Sequence, residues 1–586
     1  MTDRVGPSPA LRRLALLPLV LLAACASGLP AGESDRPVLR EGRFKPSGAF
    51  GAYLAGRLAA AEDDTEAAAH FFARALAADP TSPELLTRAF HATLADGREA
   101  APLARRILAT QPTALLPTLV LAAEEARDGR FDLVEARFRA LPRQGAAQLL
   151  QPLMLAWAQA GRGQWNEALA TLRPFADGAR FRAAFALHAG LICDLAGRMA
   201  EAERWYGGAF ADGGSSLRMA EIQASFAARQ GRVEEARRIL AEIAASSDEV
   251  AMVQARLLGD LERRPVASAA EGMAEALLAF AAALRQQEAS EFALLLLRVA
   301  LLLRPDYPAA KLMLADVLEG DRRYQAAADV LSLVRQDSAY GPAARVRLSL
   351  MLDRLDRTDA AIGELEALAA ADPTRAEPLA RMGDILRGRS RFAEAAAAYN
   401  RAVARLGPPE RRQWALYYAR GIALERAKDW PRAEADFLRA LELAPDQPYV
   451  LNYLGYSWVE QGRELARAKR MIERAVELRP HDGHIVDSLG WVLFRMGDYR
   501  AAVRWLERAV ELLPRDPVIN DHLGDAYWAV GRRAEAQFQW RRALNLGPEP
   551  EAIPKLEAKL RDGLVLPPAN VASGAAAGPA SATAAR

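Results

Sequence analysis

The residues nearest to a reactive constellation are His481, Asp482, His484 and Asp487, whose imidazoles and carboxylates are common ligands of divalent metals. Their HxxH spacing runs across a turn into a helix start and lacks a third convincing ligand, so the reading is against a metal site. Neither a Ser-His-Asp order, a phosphate-cradling glycine loop nor a paired-carboxylate motif stands out, which leaves no catalytic residue and no cofactor to nominate. The expectation is a protein that is not an enzyme. The cysteines are Cys25 and Cys193, so no disulfide framework is suggested. Cys193 lies in the helical run Leu187 to Leu195 and reads as a small core hydrophobe. Cys25 closes an apolar run near the start of the chain.

The elements that must position any site are written in a repeat. Pro445, Pro480, Pro514 and Pro548 are spaced by 35, 34 and 34 residues. Gly421, Gly455, Gly490 and Gly524 keep step with them, as do Ala433, Ala468, Ala502 and Ala536, and Ala440, Ala475, Ala509 and Ala543. A period near 34 with small residues at fixed offsets suits stacked helical hairpins: the small side chains let paired helices approach, and the proline stops the second helix. The same pattern begins at Gly56, with Ala68, Phe72, Ala75 and Pro80, and returns at Gly190, Ala202, Tyr206 and Ala209. Glycine-arginine pairs at Gly129, Gly161, Gly197 and Gly231 read as turns closed by a left-handed glycine. The hydrophobic fraction is 51% and period-2 strand stretches are missing, so the expected class is all-α. At 586 residues one compact core is implausible, but a solenoid escapes that limit because each hairpin buries its face against its neighbours. Lys+Arg 76 against Asp+Glu 74 leaves +2, far from the concentrated positive field of a nucleic-acid binder.

Residues 411 to 548 resemble tetratricopeptide repeats, with Gly at the eighth position, Ala at the twentieth and twenty-seventh and Pro near the thirty-second. The resemblance implies a right-handed superhelical solenoid of helix-turn-helix hairpins in which the first helix of each hairpin lines a concave groove. Carried over position by position, it assigns to the groove Tyr449, Asn452, Tyr456, Val459 and Glu460, then His484, Asp487, Trp491, Phe494 and Arg495, then Asp521, Asp525 and Trp528. Aromatic rings supply rigid contact area and the polar groups fix a backbone or basic side chains, which suits an extended peptide or a partner helix. Leu454, Trp458, Leu489 and Tyr527 are expected in the core between repeats. A carboxylate clamp of the chaperone type uses Lys and Asn at such positions, so Asp487 and Asp521 argue against that partner class.

Arg12 and Arg13 precede the apolar run Leu14 to Ala24, about 11 residues, too short for the roughly 20 that span a bilayer, so residues 1–24 read as an export signal. Leu22-Ala23-Ala24-Cys25 looks like a bacterial lipobox. That resemblance implies a lipidated Cys25, and with Ala26 rather than aspartate next, an outer-membrane anchor with the body facing the periplasm. Residues 25–46 then form a tether, 47–245 a degenerate first solenoid and 246–270 an irregular joint. A second solenoid follows at 271–548, a capping helix at 549–566 and a small-residue tail at 567–586.

The stretches 451–462 and 484–544 are similar to the large tetratricopeptide outer-membrane lipoproteins that serve as adaptors of a periplasmic carboxyl-terminal processing protease. The resemblance implies as partners that protease and the peptidoglycan hydrolases delivered to it, with no nucleic acid and no small-molecule substrate. The other reading is a scaffold for assembly or export of an envelope structure, a pilus or a polysaccharide.

Overall fold

The computed structural model describes residues 48–566 apart from 177–180, 211–215, 246–247, 286, 288 and 409. The export signal, Cys25, the tether and the tail therefore lie outside the described residues. The described chain is all-α: thirty α-helices and one 3-10 turn, with no strand. Consecutive helices pair as antiparallel hairpins, and each hairpin stacks on the next to give a solenoid.

The spacing rules explain the pairing. A Cβ on Gly421 would lie 2.6 Å from Phe437, on Gly490 2.5 Å from Leu506, and on Gly524 2.5 Å from Trp540. The first helix of each hairpin can thus approach the second only because it lacks a side chain there. The early repeats use the same contact, Gly56 with Phe72 at 2.8 Å and Gly190 with Tyr206 at 2.6 Å. Both alanine series are fully buried, Ala433, Ala468, Ala502 and Ala536 as well as Ala440, Ala475, Ala509 and Ala543 at 0% exposure. Helices end just before Pro445, Pro480 and Pro514, which cannot continue the hydrogen-bond ladder. The next ones start at side-chain caps: Gln447 accepts from the backbone N–H of Tyr449, Asp482 Oδ1 from those of His484 and Ile485, and Asp516 Oδ1 from those of Val518 and Ile519. Gly129, Gly197 and Gly231 take the left-handed conformation expected of them, but Gly161 does not. It is the last residue of a helix, where a Cβ would meet the Phe131 ring at 2.5 Å, and Gly163 makes the turn instead.

The amino-terminal region departs from a plain stack. Within 246–270 lie the helix Asp248–Leu257 and a turn-rich stretch; the chain then forms a hairpin of Ala269–Arg285 and Ser290–Leu303. This hairpin packs not only on its sequence neighbours but on the inner helices of earlier hairpins. Ala269–Arg285 lies against Leu115–Arg127, Ala147–Gly161 and Arg182–Leu195, and Ser290–Leu303 lies against Pro83–Asp96 and Leu115–Arg127. It fills the groove that the first hairpins would otherwise present. Helix Ser290–Leu303 (SEFALLLLRVALLL) carries only Ser290, Glu291 and Arg298 as polar residues, the pattern of a helix largely surrounded by protein. Leu294, Leu295, Leu296 and Leu297 are all buried.

The seal is tight and polar at chosen points. A Cβ on Gly272 would sit 2.4 Å from the Trp157 ring, so the filling hairpin touches the inner wall at van der Waals contact. Trp157 Nε1 donates to His188 Nδ1 at 3.2 Å, and burial lowers the His188 imidazole to a pKa of about 4. Glu275, fully buried, pairs with Arg218 at 2.6 Å and accepts from Tyr307 Oη at 2.6 Å. Arg298 Nε reaches back to the carbonyl of Ala95 at 3.0 Å, and burial holds its guanidinium down at about 10.

Candidate functional groove

The open concave surface lies in the carboxyl-terminal region. Its inner helices are Trp414–Arg426, Pro448–Glu460, Gly483–Arg495 and Pro517–Ala529, and the outer ones are Trp430–Leu443, Leu465–Leu478, Tyr499–Leu512 and Arg533–Asn545. The inner helices Pro448–Glu460, Gly483–Arg495 and Pro517–Ala529 contact one another side by side and make a continuous wall. A cavity of about 540 Å³ opens on that wall, lined among others by Tyr453, Asn452, Tyr456, Ser457, His484 and Asp487.

Several residues that the repeat register assigns to the groove lie together on this surface. Asn452, Tyr456, Glu460, His484 and Asp487 share the cavity lining. Tyr449, one turn before, is 42% exposed, with the Arg479 guanidinium 5.9 Å from its ring centre. Trp491 donates Nε1–H to Glu460 Oε1 at 2.5 Å and stacks on His522 at 4.0 Å between ring centres. Arg495 reaches the same Glu460 oxygen at 3.3 Å. Phe494 lies parallel to Trp491 at 5.0 Å and is buried, and Val459 is buried at 0% exposure. Both follow Gly455 and Gly490 by four residues, so they fall on the glycine face that meets the paired helix, and neither opens to the groove.

Asp521, Asp525 and Trp528 are occupied by the chain's own end. The helix Ile553–Asp562 sends Lys559 between Asp521 and Asp525, with Nζ at 2.7 and 2.8 Å. Trp528 Nε1 donates to the carbonyl of Leu564 at 2.9 Å. Asp525 also accepts from Trp540 Nε1 at 2.9 Å. The groove therefore closes at its last hairpin. The expected core residues Leu454, Trp458, Leu489 and Tyr527 are buried.

Register missed His522, which is 7% exposed and places Nδ1 3.0 Å from both carboxylate oxygens of Asp487. Burial opposes its charge, but Asp487 first, then Asp521 and Asp525, hold the imidazole above its ordinary value. Burial and the neighbouring Asp521 push Asp525 up to about 6, with Lys559 acting in the opposite direction. Register also missed Glu425 and Asp516, so the cavity carries four carboxylates, Glu425, Glu460, Asp487 and Asp516, against one guanidinium, Arg426. Adjacent repeats contribute them singly, and a single-repeat pattern cannot show that sum. Asn452 Oδ1 is buried without a hydrogen-bond partner, and burial pushes the Tyr456 hydroxyl well up.

Chemically this surface can hold an extended or helical protein segment and fix its donors; it offers no nucleophile-base pair. Among the described residues no group of His, Cys, Asp and Glu is placed to hold a metal ion; His484 is 68% exposed and Asp482 is spent on its helix cap. Burial raises the Cys193 thiol to about 11.

The fold is a helical-repeat solenoid with an open concave surface. Residues 381–448 and 454–517 match the family model of the tetratricopeptide repeat, a span that takes in most of the first three of the four groove hairpins. Among solved structures, yeast Tom70 is 13% identical, covering 88% of this chain and 95% of its own at a TM-score of 0.34. The APC/C hetero-tetramer Cut9-Hcn1 is 14% identical over 89% of this chain and 97% of that one, with a TM-score of 0.36. YrrB, a TPR protein with an unusual peptide-binding site, is 19% identical over 33% of this chain and 97% of its own, with a TM-score of 0.27. No curated protein matches this chain in sequence.

Proposed function

We propose that the protein is an outer-membrane lipoprotein adaptor, anchored through Cys25, whose carboxyl-terminal groove captures a periplasmic carboxyl-terminal processing protease and presents peptidoglycan hydrolases to it. The observation that carries protein capture is the contrast between grooves: one is filled by the chain itself, while the other stays open and holds the unpartnered Asn452 Oδ1 and the acidic lining. The choice of partner rests on the resemblance of 451–462 and 484–544 to adaptors of such proteases. The anchor rests on the lipobox ending at Cys25. Holding protease and substrate on one body raises their effective concentration without new chemistry.

The test is crosslinking in intact cells followed by purification from the membrane fraction, for the native chain and for Asn452→Ala/Tyr456→Ala. Recovery of a processing protease that falls at least about tenfold in the variant supports the adaptor. Recovery instead of components of a pilus or polysaccharide exporter assigns the scaffold to envelope assembly. Equal recovery by the variant moves capture off this groove.

A further inference from the structure

The stretch 246–270, which interrupts the repeat, builds a second cavity of about 700 Å³ unrelated to the protein-binding groove. Its volume is within the roughly 300–1,000 Å³ of small-molecule sites, but its lining is charged rather than apolar, with an excess of arginines over the carboxylates Glu221, Asp260, Asp306 and Asp337. Six arginines line it, Arg218, Arg256, Arg263, Arg264, Arg304 and Arg335, from the inner helix Leu217–Arg229, the helix Asp248–Leu257, the following turns and the ends of later helices.

Two of these are fully committed. Arg218 is held by Glu221 at 2.9 Å and Glu275 at 2.6 Å, and Arg335 forms a pair with Asp337 at 2.5 Å. The other four are not. Arg256 donates only to the carbonyls of Gln336 and Ser338, with no carboxylate in ion-pair range among the described residues. Arg264 stands 3.4 Å from Asp194, whose carboxylate is already taken bidentately by Arg229. Arg263 is 3.8 Å from Asp260. Arg304 makes one hydrogen bond, to the carbonyl of Pro265, and stands 3.4 Å from Glu271 and 3.7 Å from Asp306, so it is largely neutralised, although its buried Nε has no hydrogen-bond partner. Ser338 Oγ, on the same lining, is likewise buried and unpartnered.

Guanidinium groups with spare donors, converging from separate elements on one cavity with an unpaired hydroxyl, form a fork suited to the oxygens of carboxylate or phosphate. We propose that the cavity bounded by Arg256, Arg264, Arg304 and Ser338 is a binding site for a small polyanion bearing phosphate or carboxylate groups. The ligand's oxygens accept the spare N–H groups of Arg256 and Arg264 and the Ser338 hydroxyl proton. Asp306, also on the lining, sets a limit by repelling any ligand that extends its charge toward the Arg304 Nε side.

Calorimetric titration of the full chain with pyrophosphate and, separately, with citrate tests the site and tells phosphate from carboxylate. The expected result is saturable one-to-one binding of at least one probe below about 1 mM, weakened at least about tenfold in Arg256→Gln/Arg264→Gln. Arg391→Gln, an exposed pair elsewhere on the solenoid, is expected to bind as the native chain does. If the double variant fails to fold by circular dichroism, Arg256→Gln alone on its exposed side chain is read instead, with a loss of at least about threefold expected. Absence of saturable binding by both probes, or affinity unchanged in the folded variant, overturns the proposal.

Discussion

The two concave surfaces of this solenoid are made by the same repeat but have opposite fates. In the first, the hairpin Ala269–Arg285 and Ser290–Leu303 has taken the place a partner would occupy, buried Trp157 against Gly272 and neutralised its charges internally through Glu275 and Arg218. In the second, aromatic and acidic side chains face an open cavity and one buried amide oxygen lacks a partner. A groove's capacity to bind is therefore decided by what the chain later lays across it, as much as by the repeats that form it. The cap at Lys559 repeats the lesson on a smaller scale, since it consumes Asp521, Asp525 and Trp528.

That contrast breaks most easily at the seal of the filled groove. Trp157→Ala opens a cavity under Gly272 and is expected to cost about 3–5 kcal/mol in denaturant unfolding. Glu275→Ala leaves buried Arg218 with Glu221 as its one remaining carboxylate partner and Tyr307 Oη without its acceptor, and a loss of about 3 kcal/mol is expected by the same measurement. Neither substitution touches the open groove, so partner capture by folded protein is expected to persist; if it is lost, the two surfaces are not independent.

Acidity separates the regions by sign. The folded state holds His188 at about 4, below its ordinary 6.5, so its contribution is complete above pH 6.5 and is lost as pH falls toward 4, up to about 3 kcal/mol. Burial acts first, opposed by Glu275. His522 is raised, so its contribution is complete below its unfolded value and fades as pH rises through its folded one. Asp525, raised to about 6, adds a loss in the same direction between its ordinary 3.8 and 6. Tryptophan fluorescence followed against pH, with His188→Gln and His522→Gln as references, should show the amino-terminal region loosening on acidification and the Trp491 environment on alkalinisation. Identical profiles for both regions would contradict the contrast.

Gly490→Ala, whose new methyl would press on Leu506 at 2.5 Å, is expected to cost about 1–3 kcal/mol in the open region. The smallest stability effect belongs to Tyr449→Ala, about 0.5 kcal/mol on a side chain 42% exposed, paired with a measurable fall in partner capture.

The hairpins were legible because the contacts that define them are local. A glycine and the large residue 16 positions later, as in Gly490 and Leu506, are read from spacing alone. So were the proline stops and the left-handed glycine turns at Gly129, Gly197 and Gly231. The filling hairpin was not inferred, since it meets Pro83–Asp96 and Leu115–Arg127 across long sequence separations that no period encodes. One signal was there to be read: beyond Ser290, the helix Ser290–Leu303 has only Glu291 and Arg298 as polar residues, too few for an exposed repeat helix. Phe494 and Trp528 were assigned to the groove by position, whereas the glycine face and the terminal helix claim them.

The bond from Arg298 to Ala95 spans 203 residues and that from Arg323 to Thr65 spans 258. A repeat array ordinarily zips up from any nucleus toward its neighbours, with little loop entropy to overcome. Here the helices from Pro83 to Leu195 complete their contacts only when the polypeptide as far as Leu303 has been delivered, so acquisition of structure in that region is delayed and non-vectorial, while the carboxyl-terminal hairpins are free to close in order as they emerge.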